Sequence, residues 1–367
     1  MSVRRLAVLT SFSGQGGVEK MIVNLLSAMA ERGQPVDLLA VRAGDIPRGR
    51  LPDTVRLVDL GVRHTGTALI PLVRYLKGQD PAALLCAKDR AIRIGVMARL
   101  ISGARCRLLG RLGTNLSAAL QSRGPAERWL RQFPMRRLYP LADGVVAVSE
   151  GVAEDTARTT GIPRERIGVI RNPVISARLH RLADAVVDHP WFAPGQPPVV
   201  LGAGRVTRQK GFPVLLRAFA RVRRERNCRL LILGEGRERG PLLTLAAELG
   251  IGDDVDLPGF VVNPYGFMKR AAVFVLSSAW EGSPNVLTEA LALGRPVVST
   301  DCPSGPSELL AAGRFGSLVA VGDDEAMGAA ISGILDGRVS FDDPEVAVRD
   351  YHADVSARRY LEALGLA

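Results

Sequence analysis

A chain of 367 residues, 47% hydrophobic and 23% charged, is long for one domain and comfortable for two. Its four cysteines, Cys86, Cys106, Cys228 and Cys302, have neither metal-ligand nor redox spacing, and no apolar run approaches the roughly 18 residues of a membrane span, which argues against a disulfide scaffold, a cysteine metal site and a transmembrane protein. The formal charge of +11 is lopsided, with +13 in residues 1–172 and −2 in residues 173–367, so the first half calls for an anionic partner such as a membrane surface, a phosphorylated substrate or a nucleic acid.

The first predicted strand is Leu6–Phe12, followed by Gly14-Gln15-Gly16-Gly17 and an amphipathic helix over Gly17–Arg32. Strands follow at Val36–Val41, Val55–Leu60 and Ala83–Ala87, a helix at Ala91–Ile101, then strands at Arg107–Leu112, Val145–Ser149 and Ile167–Ile170. Asn172-Pro173-Val174 marks a boundary, after which Ser176–Pro198 is polar, irregular and proline-rich. The pattern then restarts. Strands at Val199–Ala203, Leu230–Leu233, Val255–Leu257, Val273–Leu276, Val297–Thr300 and Ser317–Ala320 alternate with helices at Phe212–Arg224, Pro241–Leu249, Asn285–Leu293 and Asp323–Leu335. A last helix, Val346–Leu364, is free to pack on either half.

Strands alternating with helices over this length predict an α/β protein with parallel sheets. The expected architecture is two Rossmann-like, doubly wound domains facing a central cleft, residues 1–174 and 175–345, with ligands bound at the strands' C-terminal ends. The segment 346–367 can return to the first domain.

Two stretches of the second half carry chemistry. In Gly202-Ala203-Gly204-Arg205-Val206-Thr207-Arg208-Gln209-Lys210-Gly211, Arg205 and Lys210 straddle a loop that can curl around an anion, although a solvated basic turn would read the same. In Trp280-Glu281-Gly282-Ser283-Pro284-Asn285-Val286-Leu287-Thr288-Glu289, two carboxylates lie eight residues apart across a strand-to-helix loop. Ser283 is expected to cap the helix, with Pro284 at its first position, leaving the amides of Asn285, Val286 and Leu287 to bind a phosphate. Asp254-Val255-Asp256 has the form of a metal-binding D-x-D, but it starts a strand away from the other motifs, so no metal is expected.

These stretches together resemble the retaining nucleotide-sugar glycosyltransferases of family 4, whose fold is GT-B. Arg205…Lys210, Trp280-Glu281-Gly282 and the E-x7-E spacing to Glu289 carry the likeness. Further matches are Gly16-Gly17-Val18-Glu19-Lys20, Ile170-Arg171-Asn172-Pro173-Val174, Pro258-Gly259-Phe260 and Ser304-Gly305-Pro306-Ser307-Glu308-Leu309-Leu310. The resemblance implies a donor site in the second domain and an acceptor site in the first. Glu289 would hold the donor's ribose, Glu281 the transferred sugar, Arg205 and Lys210 the departing diphosphate, with Gly282 and the helix-start residues Asn285, Val286 and Leu287 beside it. Gly16 and Gly17 would approach the donor from the first domain, and Phe260 would lie near the base. Arg205, Lys210 and Glu281 are the implied catalytic residues, the reaction needs no metal and no cofactor beyond the nucleotide sugar, a UDP-sugar first and GDP-mannose second, and attack comes from the front face. The family often has a histidine near the end of a mid-domain strand in the first half; here that region reads Gly110-Arg111-Leu112-Gly113-Thr114-Asn115, which leaves Arg111 and Asn115 as acceptor-binding candidates.

The implied acceptor is a lipid-linked or lipopolysaccharide-type glycan at the cytoplasmic face of the membrane; a soluble sugar or sugar phosphate is the alternative. Arg123–Tyr139 supports the membrane, because Arg128, Arg131, Arg136 and Arg137 are interleaved with Trp129 and Phe133, although Pro134 predicts a break in any helix there. Lys88, Arg90, Arg93 and Arg99 extend the patch or bind an acceptor's phosphates. The expectation is a cytoplasmic, peripheral-membrane enzyme. A dinucleotide-dependent oxidoreductase would need a third glycine after Gly17 at the right spacing and a better ribose acid than Asp37, and a nucleic-acid-binding protein would need aromatics and a recognition motif that the chain lacks.

Overall fold

The computed structural model describes residues 4–11, 17–41, 51–120 and 124–367. These form two compact units, one of residues up to Val174 together with Tyr351–Ala367, the other Ile175–Asp350.

The first unit holds strands β1 (Leu6–Ser11), β2 (Val36–Val41), β3 (Val55–Asp59), β4 (Ala83–Ala87), β5 (Arg107–Leu112), β6 (Gly144–Ala147) and β7 (Ile167–Val169). They form one parallel sheet in the order β3-β2-β1-β4-β5-β6-β7. The helices between them are α1 (Gly17–Glu31), α2 (Leu69–Gln79), α3 (Asp89–Ser102), α4 (Leu116–Leu120), α5 (Pro125–Leu138) and α6 (Glu150–Thr160). Helices cover both faces, so the inner strands are apolar on both sides and read as continuous runs. Along β1, Ala7 and Leu9 enter one core with α2 and α3, while Leu6 and Val8 enter a second core with α1. The chain runs outward from β1 to β3 and returns at β4 beside β1, which makes the β1–β4 edge a switch point.

The second unit carries β8 (Val199–Ala203), β9 (Arg229–Leu233), β10 (Val255–Gly259), β11 (Val273–Leu276), β12 (Val297–Thr300) and β13 (Ser317–Val319), parallel and ordered β10-β9-β8-β11-β12-β13. Its helices are α7 (Ala177–Ala183), α8 (Phe212–Glu225), α9 (Arg239–Glu248), α10 (Tyr265–Arg270), α11 (Asn285–Ala292), α12 (Pro306–Leu309), α13 (Asp324–Leu335) and α14 (Pro344–Val348). Helix α8 shows why the local sequence folds this way. Its apolar residues recur at helical spacing, so Phe212, Leu215, Leu216, Phe219 and Val222 are all buried under the sheet while the arginines between them stay on the outer side. Here the switch point is the β8–β11 edge.

Two expectations fail. Val346–Leu364 is not one helix: a 3-10 turn at Arg349–Tyr351 separates α14 from α15 (Ala353–Leu364), and α15 belongs to the first unit. Buried Tyr351 fixes the break, since its carbonyl accepts from Val174 N–H at 2.9 Å and the Arg171 guanidinium lies over its ring. Beyond it, Ala357, Tyr360, Leu361 and Leu364 complete the α1 core. Pro134, in turn, does not interrupt α5, which continues from Pro125 to Leu138.

Candidate active site

Loops leaving β8 and β11 meet at the C-terminal edge of the second sheet. Strand β8 ends at Ala203, and Arg205 to Lys210 turn back toward α8 through Gly211, whose φ is +61°. A Cβ there would lie 2.1 Å from the Ser277 carbonyl oxygen, so only glycine lets the two loops touch. The contact is stapled: Ser277 Oγ donates to the Lys210 carbonyl at 2.8 Å, Ala279 N–H to Gln209 at 2.8 Å, and Gln209 Nε2 to Trp280 at 2.9 Å. A third loop closes the other side. Gly234, just past β9, packs so near Gly204 that a Cβ would fall 1.9 Å from the Gly204 oxygen, and Val206 N–H donates to the Glu235 carbonyl at 2.8 Å.

This geometry brings Lys210 Nζ to 2.7 Å from Glu281 Oε1. Ser278 Oγ donates to the same oxygen at 2.7 Å, and Thr300 Oγ1 holds the Ser278 carbonyl at 2.6 Å. Glu281 is only 8% exposed, so its charge is carried by this ion pair and hydroxyl rather than by water. Glu289, on α11, is equally buried and accepts from the Tyr265 hydroxyl of α10 at 3.1 Å. Arg205 is exposed, and it forms no ion pair among the described residues. Phe260 follows the end of β10 on this same edge and leaves half its surface open.

The helix start departs from expectation. Asn285 N–H donates to the Ser283 carbonyl at 3.0 Å and Leu287 N–H to Pro284 at 2.9 Å. Pro284 occupies the cap position, and Ser283 makes no side-chain cap: its hydroxyl is buried without a partner among the described residues. Of the three amides assigned to a phosphate, Val286 N–H is the one with no acceptor in the described backbone network.

Gly282, Asn285, Val286, Leu287 and Glu289 thus gather with Arg205, Lys210 and Glu281 at one switch point. Gly17 opens α1 in the first unit, and Gly16 lies outside the described residues. Ser278, Thr300 and Tyr265 were missed by sequence reasoning. Ser278 had one available signal, its place three residues before Glu281; Thr300 and Tyr265 had none, since both arrive through tertiary packing.

Arg111 must be corrected. It shares a face of β5 with Leu109, which α15 covers, and it is 2% exposed beside Tyr360 with its Nη2 on Asn172 Oδ1 at 2.6 Å. It offers a ligand no surface. Asn115 caps α4, its Oδ1 accepting from Ala118 N–H at 3.0 Å and Ser117 Oγ at 2.9 Å. The D-x-D carboxylates are occupied at the opposite end of β10: Asp254 by Arg223 and Arg229, Asp256 by His189. Asp37 is buried under Arg5, Arg56 and Tyr75, so it does not face a ribose at the sheet's C-terminal edge.

Helix α5 presents Trp129, Leu130 and Phe133 to solvent, with the two rings 5.3 Å apart and the Arg137 guanidinium 5.5 Å over Phe133. Arg128 is exposed, Arg131 pairs with Glu127 at 3.2 Å, and Arg136 donates to the Thr159 carbonyl at 3.1 Å. No helix among the described residues is long and apolar enough to cross a membrane.

Comparison with known proteins agrees in both halves. A family model described as Glycosyltransferase Family 4 matches residues 15–178, and one described as Glycosyl transferases group 1 matches residues 197–337. The lipopolysaccharide core biosynthesis glycosyltransferase LpsE of Rhizobium meliloti is 30% identical over 328 residues, covering 88% of this chain and 87% of that protein. An N-acetylgalactosaminyltransferase of Campylobacter jejuni, named for a diphospho-undecaprenol-linked acceptor, is 33% identical over 200 residues, 54% of this chain. An uncharacterized Methanocaldococcus jannaschii glycosyltransferase is 45% identical over 113 residues, 30% of this chain. The matched stretch spans about half (52%) of the Campylobacter protein and 28% of the Methanocaldococcus one. Among solved structures, Anabaena HepE in complex with UDP-glucose superposes with a TM-score of 0.80 at 19% identity, covering 99% of this chain and 100% of that one. On the two parallel-sheet units and the near full-length match to LpsE, the chain belongs to the GT-B glycosyltransferases.

Proposed function

We propose that the chain is a retaining, metal-independent glycosyltransferase of family 4 that moves a hexosyl or N-acetylhexosaminyl group from a UDP-sugar to a lipid-linked or cell-envelope glycan. The observation that carries this is the buried Lys210–Glu281 pair at the β8–β11 switch point. A donor diphosphate entering beside Lys210 competes for its ammonium, and Glu281 turns to the sugar's hydroxyls. As the sugar–phosphate bond breaks, charge grows on the departing phosphate. Lys210 and Arg205 then attract it more strongly than they attract the intact donor, which is the differential binding that lowers a barrier. Their positive charge does the work a metal would otherwise do. Glu289, aligned by Tyr265, accepts from the ribose diol, and the acceptor hydroxyl attacks from the face the diphosphate leaves.

The HepE complex with UDP-glucose favours a UDP-sugar. LpsE and the Campylobacter enzyme favour a lipopolysaccharide-type or polyprenyl-diphosphate-linked acceptor. Such an acceptor lies at a membrane, and the aromatic and basic face of α5, on a unit carrying the whole positive excess, suits an anionic cytoplasmic leaflet. A panel of UDP- and GDP-sugars scored for thermal stabilisation and slow donor hydrolysis tests the donor. One UDP-sugar should stand out, and stabilisation by GDP-mannose alone would contradict the reading.

A further inference from the structure

Lys88 sits at the end of β4, on the switch point of the first sheet, with φ +104° and ψ 151°. That conformation is strained for any residue with a Cβ, and such strain persists only where the surroundings enforce it. Its ammonium reaches across to β1, donating to the Ser11 carbonyl at 2.7 Å, while Glu19 of α1 stands off at 3.7 Å. A third of the side chain remains open to solvent.

Lys88 N–H donates to the Arg111 carbonyl, and the buried Arg111 guanidinium faces Asn172 and Tyr360, both neutral. Arg111 Nε is buried without a hydrogen-bond partner among the described residues, and the Tyr360 hydroxyl lies against the guanidinium. The carboxylate near Lys88 is Glu19; burial, the largest influence, lowers the Lys88 pKa, Glu19's charge opposes that, and the charge of Arg111 adds a smaller lowering. A partly buried ammonium whose carboxylate stands off at 3.7 Å, with a third of its side chain open, leaves room for a closer anion. The other cations named with Lys88 are spoken for or point elsewhere. Arg93 pairs with Asp89, Arg99 pairs with Asp143, and Arg90 lies on the exposed side of α3.

We propose that Lys88 binds a phosphate group of the acceptor at the β1–β4 edge, with Arg111 adding a fixed positive field behind it. This rests on the acceptor part of the reading above, in which a diphosphate-linked glycan is the substrate.

The test is calorimetric titration of the full chain with inorganic diphosphate, on a Lys210→Met/Glu281→Met background that weakens the second unit's phosphate site without stranding a buried charge. Lys88→Gln should weaken binding at least about tenfold, as loss of a charge-assisted contact does, and Lys88→Arg should restore most of it. Lys88→Gly should fold at least as stably as the parent, because glycine accepts this φ, yet bind as poorly as Lys88→Gln. UDP affinity of the Lys88→Gln single variant should stay within about twofold of wild type, as expected if its contacts are elsewhere. Undiminished diphosphate binding by Lys88→Gln or Lys88→Gly overturns the site, and a parallel tenfold fall in UDP affinity overturns the assignment to the acceptor. Neither readout requires sugar transfer, so an enzyme that turns over donor but fails here loses only this inference.

Discussion

Lys210 and Glu281, 71 residues apart in sequence, form an ion pair of 2.7 Å, with 15% and 9% of their side chains exposed. Sequence reasoning placed them as separate grips on a donor; the fold couples them, so each holds the other in position.

This coupling has a stability signature. Lys210→Met leaves Glu281 buried with Ser278 as its side-chain partner among the described residues, and Glu281→Gln strands the ammonium. Breaking one side of an enclosed pair costs about 3–5 kcal/mol, while replacing both partners is close to neutral. Urea unfolding of the two single variants and a Lys210→Met/Glu281→Met double variant should show strong non-additivity, the double being more stable than the sum predicts. Additive losses would mean the pair is not coupled.

Tyr265→Phe removes the hydrogen bond that its hydroxyl gives Glu289. A bond to a charged group is worth about 1.5–3 kcal/mol, so donor KM should rise roughly tenfold or more while kcat changes little, since the ribose does not react. Steady-state kinetics with varied donor separates the two, and a fall confined to kcat would contradict a ribose-holding role.

Gly211→Ala should disable the site through backbone rather than chemistry. Its Cβ would meet the Ser277 carbonyl, whereas at Gly195, also left-handed at φ +82°, a Cβ meets nothing within 4 Å. Gly195→Ala should cost only the conformational penalty of about 1–2 kcal/mol, and Gly211→Ala clearly more. Thermal unfolding of both variants isolates the clash.

Acid stability should depend on Asp37. Burial alone would raise its carboxyl, but hydrogen bonds from Arg56, Tyr75 and Arg5 outweigh it and hold it below the usual value of 3.8. A depressed carboxylate stabilises the folded state above its unfolded pKa, and that stability is lost as pH falls through the folded one. Unfolding free energy followed from pH 6 to pH 2 should therefore drop more steeply in wild type than in Asp37→Asn, which starts lower.

Trp129→Ser/Phe133→Ser should fold as wild type, because both rings are exposed, and should reduce cosedimentation with vesicles containing phosphatidylglycerol. Equal sedimentation of variant and wild type would remove α5 as the membrane contact.

Much of the fold was legible because parallel strands between two helical layers are short apolar runs, and Ala83–Ala87, Val199–Ala203 and Val273–Leu276 appear with the very bounds their composition predicted. The two segments from Arg205 to Lys210 and from Glu281 to Glu289 were legible because the glycines, charges and spacing within each are local. What stayed hidden depends on distant packing. Arg111 looked available until α15, arriving from the far end of the chain, covered it. Ser283 read as a cap, but Pro284 took the cap position and left its hydroxyl unpaired. Tyr265 and Thr300 touch the carboxylate network only through tertiary contacts, and a single sequence carries no mark of that.

The most direct test of the central claim is the initial rate of UDP release from the preferred UDP-sugar, measured for wild type, Lys210→Ala and Glu289→Ala at saturating acceptor, or as slow hydrolysis without it. Each substitution should lower the rate by at least about a hundredfold, the usual cost of losing a preorganised charge contact at the reacting centre or the grip that places it. Wild-type rates in both variants would show that the β8–β11 switch point is not where the donor reacts.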